Sequence, residues 1–189
     1  MKHDTRNNHK QAHTRWATHG QPSPLNSHPH RSDANNEFTI VHNGIITNYK
    51  EIKTLLEKKG FSFETETDTE CVAKLTKYIY DSQKENNITF TALVKAVAKE
   101  LEGSYAFIFK SVHYPNEVIA TRRGSPLLVG VKTAQKLKVD FVDVEFGNPT
   151  TETETGNEKK INTPFLFILF KLKEKQVLLI WFVFFFSND

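Results

Sequence analysis

A chain of 189 residues with 38% hydrophobic content has material for one domain with its own core. Lysine and arginine (25) scarcely outnumber aspartate and glutamate (22), and the charges are interspersed, which argues against a nucleic-acid surface or a polybasic membrane contact. A single cysteine, Cys71, allows no internal disulfide, and residues 1–20 contain no apolar signal core, so the expected compartment is the cytoplasm.

Residues 1–11 are polar and read as a disordered start. Strands are predicted over 13–18 and 37–42, separated by a loop over 21–36 rich in Pro, Asn, Ser and His, and Asn43-Gly44 reads as a turn. Asn48 suits the cap of a helix with Ile52, Leu55 and Leu56 on one face, and Gly60 stands where a left-handed terminator belongs. Residues 61–66 alternate like a short strand. Thr67-Asp68-Thr69-Glu70 then heads a second amphipathic helix bearing Val72, Ala73, Leu75, Ile79 and Tyr80, with Asp68 as the local cap of a helix that begins at Thr69. A third helix is predicted over about 89–102, with Phe90, Leu93, Val94, Val97 and Leu101 inward and Gly103 closing it. Residues 105–112, 118–121 and 126–131, with a turn at Tyr114-Pro115-Asn116, look like an antiparallel set, so the layout is α+β.

Beyond Val131 the character changes. Residues 136–141 resemble a strand, 150–160 form a polar Thr/Glu-rich linker, and two apolar runs over 165–170 and 176–186 hold seven of the fifteen phenylalanines. Lys171, Lys173, Glu174 and Lys175 divide these runs, and neither reaches the roughly 18–20 residues that span a bilayer core. Residues 147–189 are therefore expected to be a linker and an atypical hydrophobic tail, of the kind produced by a shifted reading frame or an unspliced end, exposing apolar surface. A contact lying on a membrane surface is the alternative.

The run His13-Thr14-Arg15-Trp16-Ala17-Thr18-His19-Gly20 resembles the glutaminase domain of the glutamine–fructose-6-phosphate aminotransferase family. Further similar blocks follow in order: Asn26-Ser27-His28-Pro29, His42-Asn43-Gly44-Ile45-Ile46-Thr47-Asn48, Glu66-Thr67-Asp68-Thr69-Glu70, Leu101-Glu102-Gly103-Ser104-Tyr105-Ala106 and Ala120-Thr121-Arg122-Arg123-Gly124-Ser125-Pro126-Leu127. Residues 136–146 are similar to an insertion carried by the yeast form. The resemblance covers about residues 12–146 and implies a four-layer αββα N-terminal-nucleophile hydrolase fold (glutamine amidotransferase type 2), expected to be incomplete here. It fits the hexosamine enzyme better than the asparagine-forming or phosphoribosylamine-forming amidotransferases.

In that family a terminal cysteine thiolate, with its own α-amino group as base, attacks the side-chain amide of glutamine. The resemblance implies that the Asn43 side chain and Gly44 backbone N–H form the oxyanion hole, each donor worth about 3 kcal/mol at the transition state. It implies that Arg15 grips the α-carboxylate of glutamine, Asp68 pairs with its α-ammonium, and Trp16, Thr18, His19 and His28 line the pocket, Trp16 also belonging to the gate through which ammonia leaves. Plainer readings stand beside these. Arg15 also suits a surface ion pair, Asn43-Gly44 an ordinary turn and Asp68 a helix cap. His19 and His28 fit pocket-lining roles better than catalytic ones. The histidines His9, His13, His19, His28, His30 and His42 lack zinc-like spacing on a helix, and the family uses no metal or other cofactor.

Two departures govern the functional expectation. Met1 to Gln11 stand where the family has Cys-Gly-Ile and some seventy residues of strand and helix, and nothing after residue 146 resembles the sugar-isomerising half that binds fructose 6-phosphate. Cys71, on a predicted helix without an obvious base, does not replace the nucleophile. The expectation is a glutaminase domain truncated at both ends, with unpaired sheet edges, binding L-glutamine if the pocket forms and inactive alone. The alternatives are a non-functional product of a disrupted gene and a regulatory partner of an intact aminotransferase chain; no nucleic-acid or membrane partner is expected.

Overall fold

The computed structural model describes residues 21–83, 87–132, 143–146, 166–171 and 177–181, with side chains described within 21–83 and 87–127. The elements follow in the order β1 (His30–Arg31), β2 (Phe38–Ile46), α1 (Tyr49–Lys58), α2 (Asp68–Ser82), α3 (Phe90–Lys99), β3 (Gly103–Ser111), β4 (Glu117–Arg123), β5 (Leu128–Lys132), β6 (Asp143–Phe146), β7 (Leu166–Lys171) and β8 (Val177–Trp181). The chain is α+β, with an antiparallel six-stranded sheet in the order β1-β2-β3-β4-β7-β6 and a separate β5-β8 pair. Of the four expected layers, the described residues include one helical layer and one large sheet. The expected strand over 13–18 and that over 136–141 lie outside the described residues.

The longest pairing joins β2 to β3 without a break, from Phe38↔Ser111 to Ile46↔Gly103. This corrects the expected turn at Asn43-Gly44, which is paired strand opposite Ala106 and Tyr105. Strand continuity there depends on Gly44 at φ +125: a Cβ at this position would stand 2.1 Å from the Ser104 carbonyl oxygen and 2.8 Å from Tyr105 Cα, so only glycine lets β3 approach this closely.

Phe38, Ile40 and Ile46 of β2, Tyr105, Phe107 and Phe109 of β3 and Ile119 of β4 join Val72, Leu75, Leu93, Val94 and Val97 of the helices in one buried cluster. The intervening strand residues Val41, Ala106, Ile108, Val118 and Ala120 are buried as well. A sheet apolar on both faces belongs to a layered architecture and not to an exposed meander.

Asn48 precedes α1 as expected but makes no side-chain cap. Its amide spans to the approach to β3, donating to the Glu100 carbonyl (2.8 Å) and accepting from the Glu102 N–H (3.0 Å). The helix ends as its glycine suggests: Gly60 (φ +90) donates to the Glu57 carbonyl and Phe61 to the Leu56 carbonyl, both at 3.0 Å, a Schellman termination. Ile52 and Leu56 are buried, whereas Leu55, expected inward, is 46% exposed.

Residues 61–66 are not a strand. The Glu64 and Thr65 amides donate to the Glu70 carboxylate (2.9 and 2.7 Å), which turns this stretch across the head of α2. The alternation of Phe61 and Phe63 arises from packing against the core, with Phe63 also facing the Lys53 and Lys74 ammonium groups. Thr67, not Asp68, caps α2, its hydroxyl accepting from the Glu70 N–H (3.4 Å), and Asp68 is the first helical residue. Helix α3 stops at Lys99, three residues before the expected end, and Leu101 is buried beyond it.

Residues 126–131 were expected beside the preceding two strands, yet β5 pairs instead with β8. Unpaired sheet edges were expected; the edge of β4 carries β7, in register from Glu117↔Lys171 to Arg122↔Leu166. Each apolar run of the tail thus contributes a strand. No helix among the described residues is long and apolar enough to cross a membrane.

Candidate functional site

The expected site residues fall on four segments, His28 lying in the loop before β1. Arg15, Trp16, Thr18 and His19 lie outside the described residues. Asn43 and Gly44 lie near the end of β2, and Asp68 opens α2, which packs on β1 and β2.

Strand alternation fixes what each group in β2 can reach. The Phe38 N–H donates to the Ser32 hydroxyl (3.0 Å) and the Ile46 N–H to Asp68 Oδ2 (3.0 Å), both away from β3. Gly44 has the same parity in an unbroken register, so its N–H points to that same edge and is not used by the β2–β3 ladder. Two residues of extended chain separate it from the Ile46 N–H, about 7 Å. A peptide N–H and a carboxylate therefore share one strand edge.

Asn43 alternates with His42, whose ring contacts α2, so its side chain leaves the sheet on the face away from the helices, where it is only 8% exposed. Asp68 is 3% exposed. Beyond the Ile46 N–H, its Oδ1 accepts from the Thr69 hydroxyl (3.4 Å) and lies 3.8 Å from His42 Nδ1. The N-terminal turn of α2 carries both Asp68 and the buried Glu70, where the helix dipole favours negative charge, and Lys74 Nζ lies 3.3 Å from Glu70.

The loop before β1 closes over this helix head. His28 is half-buried and meets His30 edge-to-face at 4.9 Å; His30 in turn lies 3.3 Å from the Thr67 hydroxyl, one residue before Asp68. The Glu66 N–H donates to Asn26 Oδ1 (3.4 Å). His28 thus reaches the site through His30 and Thr67.

Two further groups border Gly44. Ser125 Oγ would stand 2.9 Å from a Cβ there, and it shares a hydrogen bond with Ser104 Oγ (3.0 Å). Tyr105, opposite Gly44, has its phenol pushed up to about 12 by burial, against the pull of Arg123, and donates to the Ala98 carbonyl (3.3 Å). It remains a neutral donor at physiological pH.

Cys71 occupies the hydrophobic core, 1% exposed. Burial pushes its thiol up to about 12, outweighing the nearby Lys53. A thiol held protonated in apolar surroundings is a poor nucleophile. Among the described residues no group of three or more His, Cys, Asp or Glu is placed to hold a metal ion.

Chemically, the arrangement offers an N–H donor for a developing oxyanion and a carboxylate for a cation along one strand, with the buried Asn43 beside them. Sequence reasoning did not single out His42 and Thr69 as site residues. The period-2 pattern from Ile40 through His42 to Ile46, which puts His42 on the inward face beside α2, could have found the first.

Residues 13–137 match the family described as a glutamine amidotransferase domain. The chain is 66% identical over 138 residues to a probable glutamine–fructose-6-phosphate aminotransferase (isomerizing) of Schizosaccharomyces pombe, covering 73% of this chain and 20% of that relative. It is 56% identical over 149 residues to glutamine–fructose-6-phosphate aminotransferase (isomerizing) 1 of Rattus norvegicus, covering 79% of this chain and 21% of that one. The chain therefore spans about a fifth of the length of these curated relatives. A solved structure of glutamine phosphoribosylpyrophosphate amidotransferase from B. subtilis, complexed with ADP and GMP, aligns with a TM-score of 0.48 at 23% identity, covering 83% of this chain and 26% of that one.

Proposed function

Because this chain belongs to the glutamine amidotransferase domain family, we propose that it forms the glutamine-binding unit of an enzyme of the glutamine–fructose-6-phosphate aminotransferase kind. In such an enzyme the amide nitrogen of L-glutamine passes to fructose 6-phosphate, giving glucosamine 6-phosphate for hexosamine and UDP-N-acetylglucosamine synthesis in the cytoplasm. The family-like unit spans about residues 12–146, and the linker and tail over 147–189 add β7 and β8 to its strands.

The single observation that carries this reading is the shared edge of β2: the Gly44 N–H lies about 7 Å along the strand from the Ile46 N–H, which holds the Asp68 carboxylate at 3.0 Å. That spacing suits the side-chain amide and the α-ammonium group of one extended glutamine. The amide oxygen is received by the Gly44 N–H and the Asn43 side chain, and the ammonium group by Asp68. Arg15 takes the α-carboxylate, and Trp16, Thr18, His19 and His28 close the pocket.

Cleavage requires a nucleophile at the amide carbon, and the one thiol of these 189 residues is buried with its proton retained. The chain as it stands holds glutamine without hydrolysing it. Calorimetric titration of the purified chain with L-glutamine tests the cradle. Saturable binding to the wild type, weakened at least tenfold in Asp68→Asn with the fold intact, is the expected outcome, since a charge-assisted bond contributes roughly 1.5–3 kcal/mol. Equal binding by Asp68→Asn contradicts it.

A further inference from the structure

Among the described residues Asp68 is held by the Ile46 N–H and by the Thr69 hydroxyl, and the second contact depends on residues that the glutamine-binding reading leaves unused. The Ile46 N–H bond fixes Oδ2. Oδ1 is fixed by the Thr69 hydroxyl at 3.4 Å, and that hydroxyl lies 3.0 Å from His42 Nδ1. A hydroxyl has one proton: when Thr69 gives it to Asp68, its oxygen can only accept, so the His42 Nδ1–H supplies the bond and the histidine tautomer is set. The ring is itself fixed by stacking on Phe107, with centroids 4.5 Å apart and an interplanar angle of 27°. All three polar side chains are buried, so water does not compete freely for these bonds.

We infer that His42 and Thr69 are positioning residues: a relay from the His42 Nδ1–H through the Thr69 hydroxyl holds the Asp68 carboxylate at the β2 edge, in line with the Gly44 N–H. This rests on the glutamine-binding reading for its purpose. Neither residue touches the ligand. The relay joins β2 to α2, so the ligand-facing carboxylate is aligned by the same contact that seats the helix on the sheet.

The test uses the full chain, glutamine calorimetry and the 1H–15N resonance of the Ile46 amide, which reads the carboxylate directly. His42→Leu and Thr69→Val each weaken glutamine binding on the order of tenfold, as groups that orient a ligating side chain commonly do. The double variant binds no more weakly than either single one, because both cut the same relay. His42→Asn, whose amide nitrogen stands near the Nδ1 position, and Thr69→Ser retain binding. In both damaging variants the Ile46 amide moves towards its position in Asp68→Asn. Folded Thr69→Val with unchanged affinity and an unmoved Ile46 resonance overturns the proposal, as do additive losses in the double variant. A wild-type chain that binds no glutamine sinks the binding reading, while the Ile46 resonance still decides whether the relay holds Asp68.

Discussion

Gly44 concentrates two demands at one residue. Its N–H lies on the edge of β2 away from β3, and its missing side chain lets Ser104 and Tyr105 approach. Gly44→Ala therefore strains the backbone at φ +125 and drives a methyl group into the Ser104 carbonyl, and thermal unfolding should show a loss of at least about 2 kcal/mol. A variant as stable as the wild type contradicts that packing. Cys71 makes a second prediction at this scale. With its thiol pushed up to about 12 by burial, iodoacetamide at neutral pH should label the native chain far more slowly than the urea-unfolded chain, as mass spectrometry would read out. Equal rates would place the thiol within reach of solvent. The Asn-Gly pair itself was legible as a special position; its conformation was not, because local turn chemistry does not reveal that β3 pairs through it.

At the scale of elements, the helices were legible from period and caps, since each buries an apolar face and α2 and α3 begin behind threonines whose hydroxyls accept from the third residue on. The misread stretch 61–66 shows the limit: side-chain alternation suggests a strand, but the amides of Glu64 and Thr65 are satisfied by one carboxylate and not by a neighbouring strand. A second device ties the residue before β2 to α2 and to the loop after β3. Glu37 accepts from Lys77 (3.0 Å) and pairs with His113 (2.7 Å), whose ring stacks on Tyr80 at 4.5 Å. Burial tends to raise the Glu37 carboxyl, but the bonds from His113 and Lys77 outweigh it and hold it below its ordinary value. A depressed carboxyl stabilises the fold above its unfolded pKa and loses that contribution as pH falls through its folded one. Glu37→Gln should thus cost about 1 kcal/mol at pH 7 in urea unfolding, with the gap to wild type closing below about pH 4. A gap independent of pH would contradict the charge-based account.

At the scale of the molecule, strands β2–β4 of the large sheet are buried on both faces and bordered on the β4 side by a strand from the apolar tail. The sequence blocks pointed to the glutamine amidotransferase family, which residues 13–137 match, because each carries its pattern in a short run. The tail was not legible: residues 166–171 and 177–181 read as foreign apolar runs, and their pairing with β4 and β5 is a long-range match of edges that no local pattern announces. The same non-local logic joins the head of α2 to the edge of β2, and so Asp68 to Gly44. The central claim is a glutamine cradle without a competent thiol. Its most direct test is prolonged incubation of the purified 189-residue chain with L-glutamine, with glutamate measured enzymatically and binding followed in parallel. The account predicts glutamine bound and recovered intact; steady glutamate release that survives Cys71→Ala would contradict it.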